Sequence, residues 1–219
     1  MGYEGQEASG GTSLEAIIDA TLSASEPRPG LRWLDIGCGT GDLLRRVRDR
    51  WQPESLTGVD PIAWLAEDLR DDVLFHQTPA EELELPLADR VMMVETIEHL
   101  EAPWSALRKA ARLVAPGGAI VVSTPNLSTL RHRLDLSLRG RLTSFRADNE
   151  PHLSPALPHV TSRVLAGEGL TVDAPLYAAA DVIPLTKGRV WGERLRRRYP
   201  QLLSVSVIVC ASRPQASEG

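Results

Sequence analysis

A glycine-rich turn between a predicted strand and a predicted helix constrains the fold of this chain most strongly. The sequence DIGCGTG at residues 35–41 follows an apolar run at 31–36 and precedes a helical pattern at 42–50. Because glycine has no Cβ atom, such a turn can be tight and can approach a ligand closely. The alternating glycines are Gly37, Gly39 and Gly41. The next apolar run ends at Asp60, and this order predicts a βαβ nucleotide-binding unit whose acid binds a ribose diol.

The spacing of the glycines separates two classes of ligand. A dinucleotide fingerprint reads G-x-G-x-x-G and places the pyrophosphate on the helix N-terminus, whereas this turn reads G-x-G-x-G. Asp35 precedes the turn, and a phosphate has no use for a negative charge at that position. A ligand that ends in a cationic amino-acid group suits Asp35 better. An NAD-dependent oxidoreductase remains the alternative from a different enzyme class.

In its strand–turn–helix context the string D-x-G-x-G-x-G resembles the first motif of the class I S-adenosylmethionine-dependent methyltransferases. The resemblance implies an α/β fold with a Rossmann-like, seven-stranded, mostly parallel sheet, an antiparallel last strand and helices on both faces. It implies that the turn binds the methionine end of S-adenosylmethionine and that Asp60 accepts hydrogen bonds from both ribose hydroxyls. Asp60 could instead cap a short helix that begins at Pro61. The cofactor-binding residues assigned here are Asp35, Gly37, Cys38, Gly39, Gly41, Asp60 and Pro61.

The adenine site is assigned by the same resemblance. Residues 77–83, QTPAEEL, are similar to the string G-D-A-E-E-L-P that follows the third strand in many members. Pro79 stands where the family carries the aspartate, so we expect backbone groups of Ala80 and Glu81 to contact the base. An exposed acidic loop explains these residues equally well. Cys38 is interpreted as a small residue that packs under the cofactor, not as a nucleophile.

A group of acids with a histidine follows the predicted fourth strand, at the edge where open α/β sheets bind ligands. Residues 95–99 read ETIEH, and one helical turn would place Glu95, Glu98 and His99 on one side. Two carboxylates and an imidazole can hold a divalent metal such as Mg²⁺. Alternatively, His99 can act as a general base that takes a hydroxyl proton. A solvated helix start would explain these residue types but not their position beside the expected cofactor pocket. Glu95 is also assigned to the cofactor site.

This string resembles E-V-x-E-H-L in two groups of methyltransferases. One group comprises the ubiquinone-biosynthesis O-methyltransferase-like enzymes of methyltransferase types 11 and 23. The other comprises small-RNA 3′-end ribose 2′-O-methyltransferases, which add a later histidine as a metal ligand; His152 or His159 could take that place. The H-D-H-x-F-E-W-like string of the RNA group is absent. We therefore expect methyl transfer to a small molecule, at a hydroxyl oxygen, with an amine nitrogen as the nearest rival and a cofactor-binding regulatory protein as a third class.

Two irregular segments, at about 126–160 and 178–200, are predicted to be lids over the carboxyl ends of the strands, where the cofactor is expected to bind. Asn126 could orient a substrate oxygen or be a turn residue, and His152 is assigned to the substrate site. Arg131 belongs to an arginine-rich stretch with leucines every fourth residue, which predicts a helix with one apolar face. The arginines could bind an acidic or phosphorylated acceptor, lie on a membrane surface or be solvated.

The length of 219 residues fits a disordered tail at 1–12 and a single domain at 13–219. A net charge of −5 argues against a general nucleic-acid binder. No apolar run is long enough to span a bilayer, and the first residues lack the apolar centre of a signal peptide. We therefore expect a cytoplasmic protein; neither the acceptor nor the oligomeric state follows from the sequence.

Overall fold

The computed structural model describes residues 11–146, 152–184, 186 and 188–215. The strands are β1 (Arg32–Ile36), β2 (Ser55–Val59), β3 (Val73–His76), β4 (Ala88–Val94), β5 (Val114–Pro125), β6 (Thr171–Val172), β7 (Leu176–Ala180) and β8 (Ser204–Ser212). The α-helices are α1 (Gly11–Ala24), α2 (Asp42–Arg50), α3 (Pro103–Arg112), α4 (Leu130–Arg139), α5 (Pro158–Gly167), α6 (Glu193–Arg198) and α7 (Pro200–Leu203).

All these strands form one mixed sheet in the order β3-β2-β1-β4-β5-β8-β6, with β7 also paired to β8. The strands β1 to β5 are mutually parallel, and β8 is antiparallel to β5. The predicted Rossmann-like sheet with a reversed last strand is therefore confirmed. The single strand predicted at 170–177 is divided into β6 and β7, because Pro175 between them has no N–H to donate to β8.

Helices cover both faces of the sheet. Successive side chains of a strand point to opposite faces, and both sets are apolar here and need cover. On one face Trp33, Met92 and Val121 pack with residues of α1 and α2. On the other face Leu34, with neighbouring residues of β4 and β5, packs against α3 and Leu165 of α5. Because both faces are buried, the loops at the carboxyl ends of the parallel strands are the part of the sheet free to form a ligand site.

Three local predictions need correction. The predicted tail ends too late, since Gly11 and Thr12 begin α1, while residues 1–10 lie outside the described part of the chain. No helix begins at Pro61; the segment stays irregular until a 3₁₀ turn at Glu67–Leu69, because the Asp60 carboxylate accepts the Ile62 N–H and forms a local turn instead. The basic helix predicted at 190–198 starts only at Glu193.

The helix α4 does not bury the leucine face that its spacing predicts. Leu134 is 41% exposed and Leu138 is 78% exposed, whereas His132 is the buried residue of this helix. The leucines at every fourth residue correctly indicated a helix, but they could not indicate which face of the helix packs against the rest of the protein. Over the described residues, no helix is both long and apolar enough to cross a membrane.

Candidate functional site

The glycine turn between β1 and α2 has the conformation that the sequence predicted. Gly37, Gly39 and Gly41 have φ values of 77°, 51° and 88°, a left-handed region that favours glycine. A Cβ atom on Gly37 would lie 2.4 Å from Cγ2 of Thr96, whose hydroxyl donates to the Ile36 carbonyl. A Cβ on Gly39 would meet no protein atom within 4 Å. Gly37 is therefore needed for packing, whereas Gly39 leaves open space above the turn.

A cleft opens beside this turn. It brings together three segments that the sequence assigned to one ligand: the turn itself, the end of β2 and the loop after β3. The residues that line it are Gly37, Val59, Pro61, Thr78, Pro79, Ala80, Glu81, Thr96 and Leu100. Pro61, Ala80 and Glu81 thus lie where a cofactor bound at the turn would extend.

Asp60 stands between the turn and the cleft. One carboxylate oxygen accepts the Gly39 N–H at 3.1 Å, and the other accepts the Ile62 N–H at 2.9 Å. Since an ionised carboxylate has about four acceptor positions, lone pairs remain for the two hydroxyls of a ribose. The two backbone hydrogen bonds hold the carboxylate in place before any ligand arrives.

Asp35 is the penultimate residue of β1 and is only 3% exposed. Burial, together with the nearby negative charge of Asp60, raises the pKa of this carboxyl to about 7. A cation beside Asp35 would stabilise its ionised form, so the site is suited to an ammonium group. Burial also raises the pKa of the neighbouring Cys38 thiol, with Asp35 and Asp60 adding to the effect, which fits a packing role for Cys38.

Glu95 does not share a helical turn with Glu98 and His99. Its φ is 49°, and its carboxylate turns into the sheet, where it accepts hydrogen bonds from Ser123 of β5 at 2.9 Å and Ser206 of β8 at 2.7 Å. Burial raises the pKa of Glu95, and the two serine hydroxyls counteract that shift. The 3₁₀ turn of this segment begins only at Ile97, so the helical spacing used for the prediction does not apply.

Glu98 is buried and is hydrogen-bonded to residues 153 and 154, in the segment that follows α4 in the chain. Its backbone carbonyl accepts the N–H groups of Leu153 at 2.8 Å and Ser154 at 2.9 Å. Its side chain is 1% exposed, and Oε2 has no hydrogen-bond partner among the described residues. Burial, and then the charge of Glu95, raise the pKa of Glu98 well above its usual value.

His99 and His152 complete the group. Their ring centroids are 4.8 Å apart and the rings meet edge to face. One ligand atom from each of Glu98, His99 and His152 lies within 4.8 Å of the others. Burial, and then His99, lower the pKa of His152, so its neutral form is favoured. His159 lies apart from this group, at the start of α5.

The remaining predicted substrate residues lie outside this group. The Asn126 side-chain amide donates to the carbonyls of Gln201 and Ser204, both at 2.8 Å, and its oxygen accepts the Ser128 N–H. These contacts leave Asn126 1% exposed and give it a role in joining β5 to β8. Arg131 is exposed on α4.

Sequence reasoning missed the serines that hold Glu95. Ser206 is a buried serine in the largely apolar strand β8, which was a usable signal of a buried partner. Nothing in the sequence indicated that this partner would be an acid 111 positions earlier.

Comparisons with known proteins identify the family of the chain. Residues 11–172 match a family model described as a methyltransferase domain. The ubiquinone biosynthesis O-methyltransferase of Alkalilimnicola ehrlichii is 37% identical over 107 residues, which are 44% of this chain and 42% of that protein. The chain thus matches less than half the length of this relative.

Solved structures show the same fold. A complex between the Haloferax volcanii Trm112 methyltransferase activator and a methyltransferase matches with a TM-score of 0.66 at 18% identity, covering 90% of this chain and 88% of that one. The N-methyltransferase NodS from Bradyrhizobium japonicum, in complex with S-adenosyl-L-homocysteine, matches with a TM-score of 0.60 at 15% identity, covering 90% and 86%. Since the family model spans well over half of the chain and the sheet has the matching topology, the chain belongs to the class I S-adenosylmethionine-dependent methyltransferases.

Proposed function

We propose that this protein transfers the methyl group of S-adenosylmethionine to a hydroxyl oxygen of a small molecule. The observation that carries the proposal is the group of Glu98, His99 and His152. Glu98 and His99 follow β4 between the cleft residues Thr96 and Leu100. The Alkalilimnicola ehrlichii relative, an O-methyltransferase by name, supports the choice of oxygen. Membership of this family removes the support for the NAD-dependent alternative.

The residues around the turn fit S-adenosylmethionine. Asp35 offers a buried carboxylate for the ammonium group, and Asp60 offers fixed acceptors for the ribose hydroxyls. Ala80 and Glu81 line the cleft where adenine would lie. When bound, the cofactor supplies a methyl group already activated by its positive sulfur, so the protein has to orient the acceptor, exclude water and remove one proton.

His99 is the candidate general base because an imidazole can take a hydroxyl proton near neutral pH. His152 packs edge to face against it and limits the orientations of the His99 ring. The hydrogen bonds from Leu153 and Ser154 to Glu98 tie the same segment over the site and reduce access of water.

A metal at this group is the second candidate. Glu98, His99 and His152 offer one carboxylate oxygen and two imidazole nitrogens, and the buried Oε2 of Glu98 has no hydrogen-bond partner among the described residues. Mg²⁺ prefers oxygen ligands, whereas a mixed nitrogen and oxygen set suits Zn²⁺ or Fe²⁺. Bound there, such an ion would favour the ionised form of an acceptor hydroxyl. Glu95 has no place in this ligand set, because its carboxylate is directed at Ser123 and Ser206.

The cofactor assignment is tested by calorimetry with S-adenosylmethionine and S-adenosylhomocysteine. We expect wild-type dissociation constants in the micromolar range, about −8 kcal/mol. Asp60→Ala should weaken binding by at least about tenfold, because two hydrogen bonds to a charged acceptor are lost. Glu84→Ala, which removes an exposed acid outside the cleft, is the matched control. Equal affinity in wild type and Asp60→Ala would contradict the assigned site.

The acceptor chemistry is tested with catechol and benzylamine as probes, in the presence and absence of EDTA. If His99 is the base, EDTA leaves the rate on catechol unchanged and His99→Asn lowers it by about 10²- to 10⁴-fold with cofactor affinity retained. If a metal is required, EDTA abolishes transfer, added Zn²⁺ restores it and His152→Asn weakens Zn²⁺ binding. Faster methylation of benzylamine than of catechol would overturn the choice of oxygen.

A further inference from the structure

A third histidine, His132, lies buried in the cap formed by α4 and the loop after it. Its side chain is 5% exposed, although the helix α4 around it is largely solvent-exposed. The Thr129 hydroxyl accepts the His132 N–H and caps the start of α4, which fixes the backbone beneath the ring. A polar ring in the one buried position of an exposed helix requires an explanation beyond packing.

Both ring nitrogens of His132 contact the loop that follows α4. The Thr143 N–H donates to Nδ1 at 3.2 Å, and the Ser144 hydroxyl lies 3.1 Å from Nε2. Because Nδ1 accepts, the proton of the neutral ring is assigned to Nε2, which then donates to the Ser144 oxygen. Two successive loop residues are thus fixed by one imidazole.

Two residues of the same loop, Ser144 and Phe145, contact His152. The backbone of Ser144 interacts with the His152 ring and acts against the lowering of its pKa by burial and by His99. The Phe145 ring centroid is 5.4 Å from that of His152. His152 in turn lies 4.8 Å from His99. A continuous series of contacts therefore runs from His132 through Ser144 and Phe145 to the proposed methyl-transfer site.

We propose that His132 is a positioning residue, which acts through the loop residues Thr143, Ser144 and Phe145 to hold His152 against His99. The role in turnover rests on the proposed function, whereas the effect on His152 does not. His132 contacts neither the cleft residues nor His99 in the interactions described above, so it takes no direct part in the chemistry. Its function is to determine where the ring of His152 lies.

Protonation of His132 would remove this support. A protonated Nδ1 is a donor, and it would face the Thr143 N–H, which is also a donor. The charged groups that act on His132 are Asp181, which directly follows β7, and Arg131 and Asp135 on α4. Burial outweighs the acids and lowers the pKa of His132. The support is thus complete at neutral pH and is lost on acidification below the usual range of histidine.

The test compares His132→Asn with His132→Leu in the full chain bound to S-adenosylhomocysteine. Asparagine places a neutral acceptor near the position of Nδ1, whereas leucine keeps the volume and removes the acceptor. The histidine ring signals of ¹⁵N,¹³C-labelled protein are followed by NMR from pH 8 to pH 5. In wild type we expect His132 protonated on Nε2 and the His152 signals to shift as His132 titrates.

In His132→Asn, the His152 signals should keep their position at pH 8 and lose the transition that follows His132. In His132→Leu, they should move at every pH. An unchanged pH transition of the His152 signals in His132→Asn would overturn the proposal, and this variant decides the question even if His132→Leu fails to fold.

A kinetic measurement with catechol separates this proposal from the proposed function. His132→Leu should lower kcat by about tenfold at pH 8 with the KM for S-adenosylmethionine unchanged, and His132→Asn should restore most of the rate. A fall in kcat of equal size in both variants would contradict a positioning role through the Thr143 contact. If wild type does not methylate catechol, the proposed acceptor chemistry fails, and the NMR result still decides whether His132 positions His152.

Discussion

Asp35→Asn should stabilise the unliganded protein at pH 8 and at the same time weaken its binding of S-adenosylmethionine. The fold raises the pKa of Asp35 from 3.8 to about 7, so ionised Asp35 opposes folding. This cost is absent at a pH below the pKa of Asp35 in the unfolded chain. It grows as the pH rises from about 4 to 7 and is complete above about 7. Its upper bound is about 4 kcal/mol at 1.36 kcal/mol per pH unit. Urea unfolding at pH 5 and pH 8 measures it.

The pH dependence provides the control for Asp35→Asn. The gain in unfolding free energy should be clearly smaller at pH 5 than at pH 8, because wild-type Asp35 is mostly protonated at the lower pH. Calorimetry should show wild-type affinity for S-adenosylmethionine falling below about pH 7 and an affinity at least about tenfold weaker in Asp35→Asn at pH 8. A variant that is less stable at pH 8 and binds as tightly as wild type would show that Asp35 is not the partner of the ammonium group.

Gly37→Ala and Gly39→Ala should separate the structural and ligand-facing roles of the turn. Gly37→Ala combines a φ of 77° with a Cβ placed 2.4 Å from Thr96, so it should lower the unfolding free energy by about 3 kcal/mol. Gly39→Ala carries only the conformational cost of its φ of 51°, about 1 kcal/mol, because no protein atom lies within 4 Å of the added methyl. Thermal and urea unfolding measure both.

Calorimetry on the folded variants should rank their affinities for S-adenosylmethionine in a different order from their losses of stability. The methyl of Gly39→Ala enters the open space above the turn, so it should weaken S-adenosylmethionine binding by more than its small effect on stability suggests. Gly169→Ala is the matched control, since it has a φ of 79° and open space but lies far along the chain from the turn. Equal loss of stability in Gly37→Ala and Gly39→Ala would mean that contact with Thr96 does not matter.

The cofactor half of the site could be predicted because its determinants are local in sequence. A tight strand-to-helix turn has few solutions, and the glycines of residues 37–41 select the one observed. The acid at the end of the next parallel strand must then lie beside that turn, which is where Asp60 accepts the Gly39 N–H. Apolar runs likewise predicted the parallel strands, which are buried on both faces of the sheet.

The acceptor half could not be predicted to the same depth because its contacts are distant in sequence. The spacing of Glu95, Glu98 and His99 suggested one helical face, but the φ of 49° at Glu95 sends its side chain to Ser123 and Ser206. The leucine pattern of α4 predicted a helix with one apolar face, yet the residue that this helix buries is His132. Which face of a short helix meets the protein depends on a partner that periodicity does not identify.

The hydrogen bond between Glu95 and Ser206 has a consequence for the order in which the protein matures. Strand β8 is the last element of the described chain, and it pairs with β5 by inserting in the reverse direction next to it. A nascent chain can therefore form the βαβ unit that surrounds the cofactor before β8 has been synthesised. Glu95, which precedes the turn that carries Glu98 and His99, gains its second serine hydroxyl only afterwards, so the segment after β4 reaches its final contacts later than the glycine turn does.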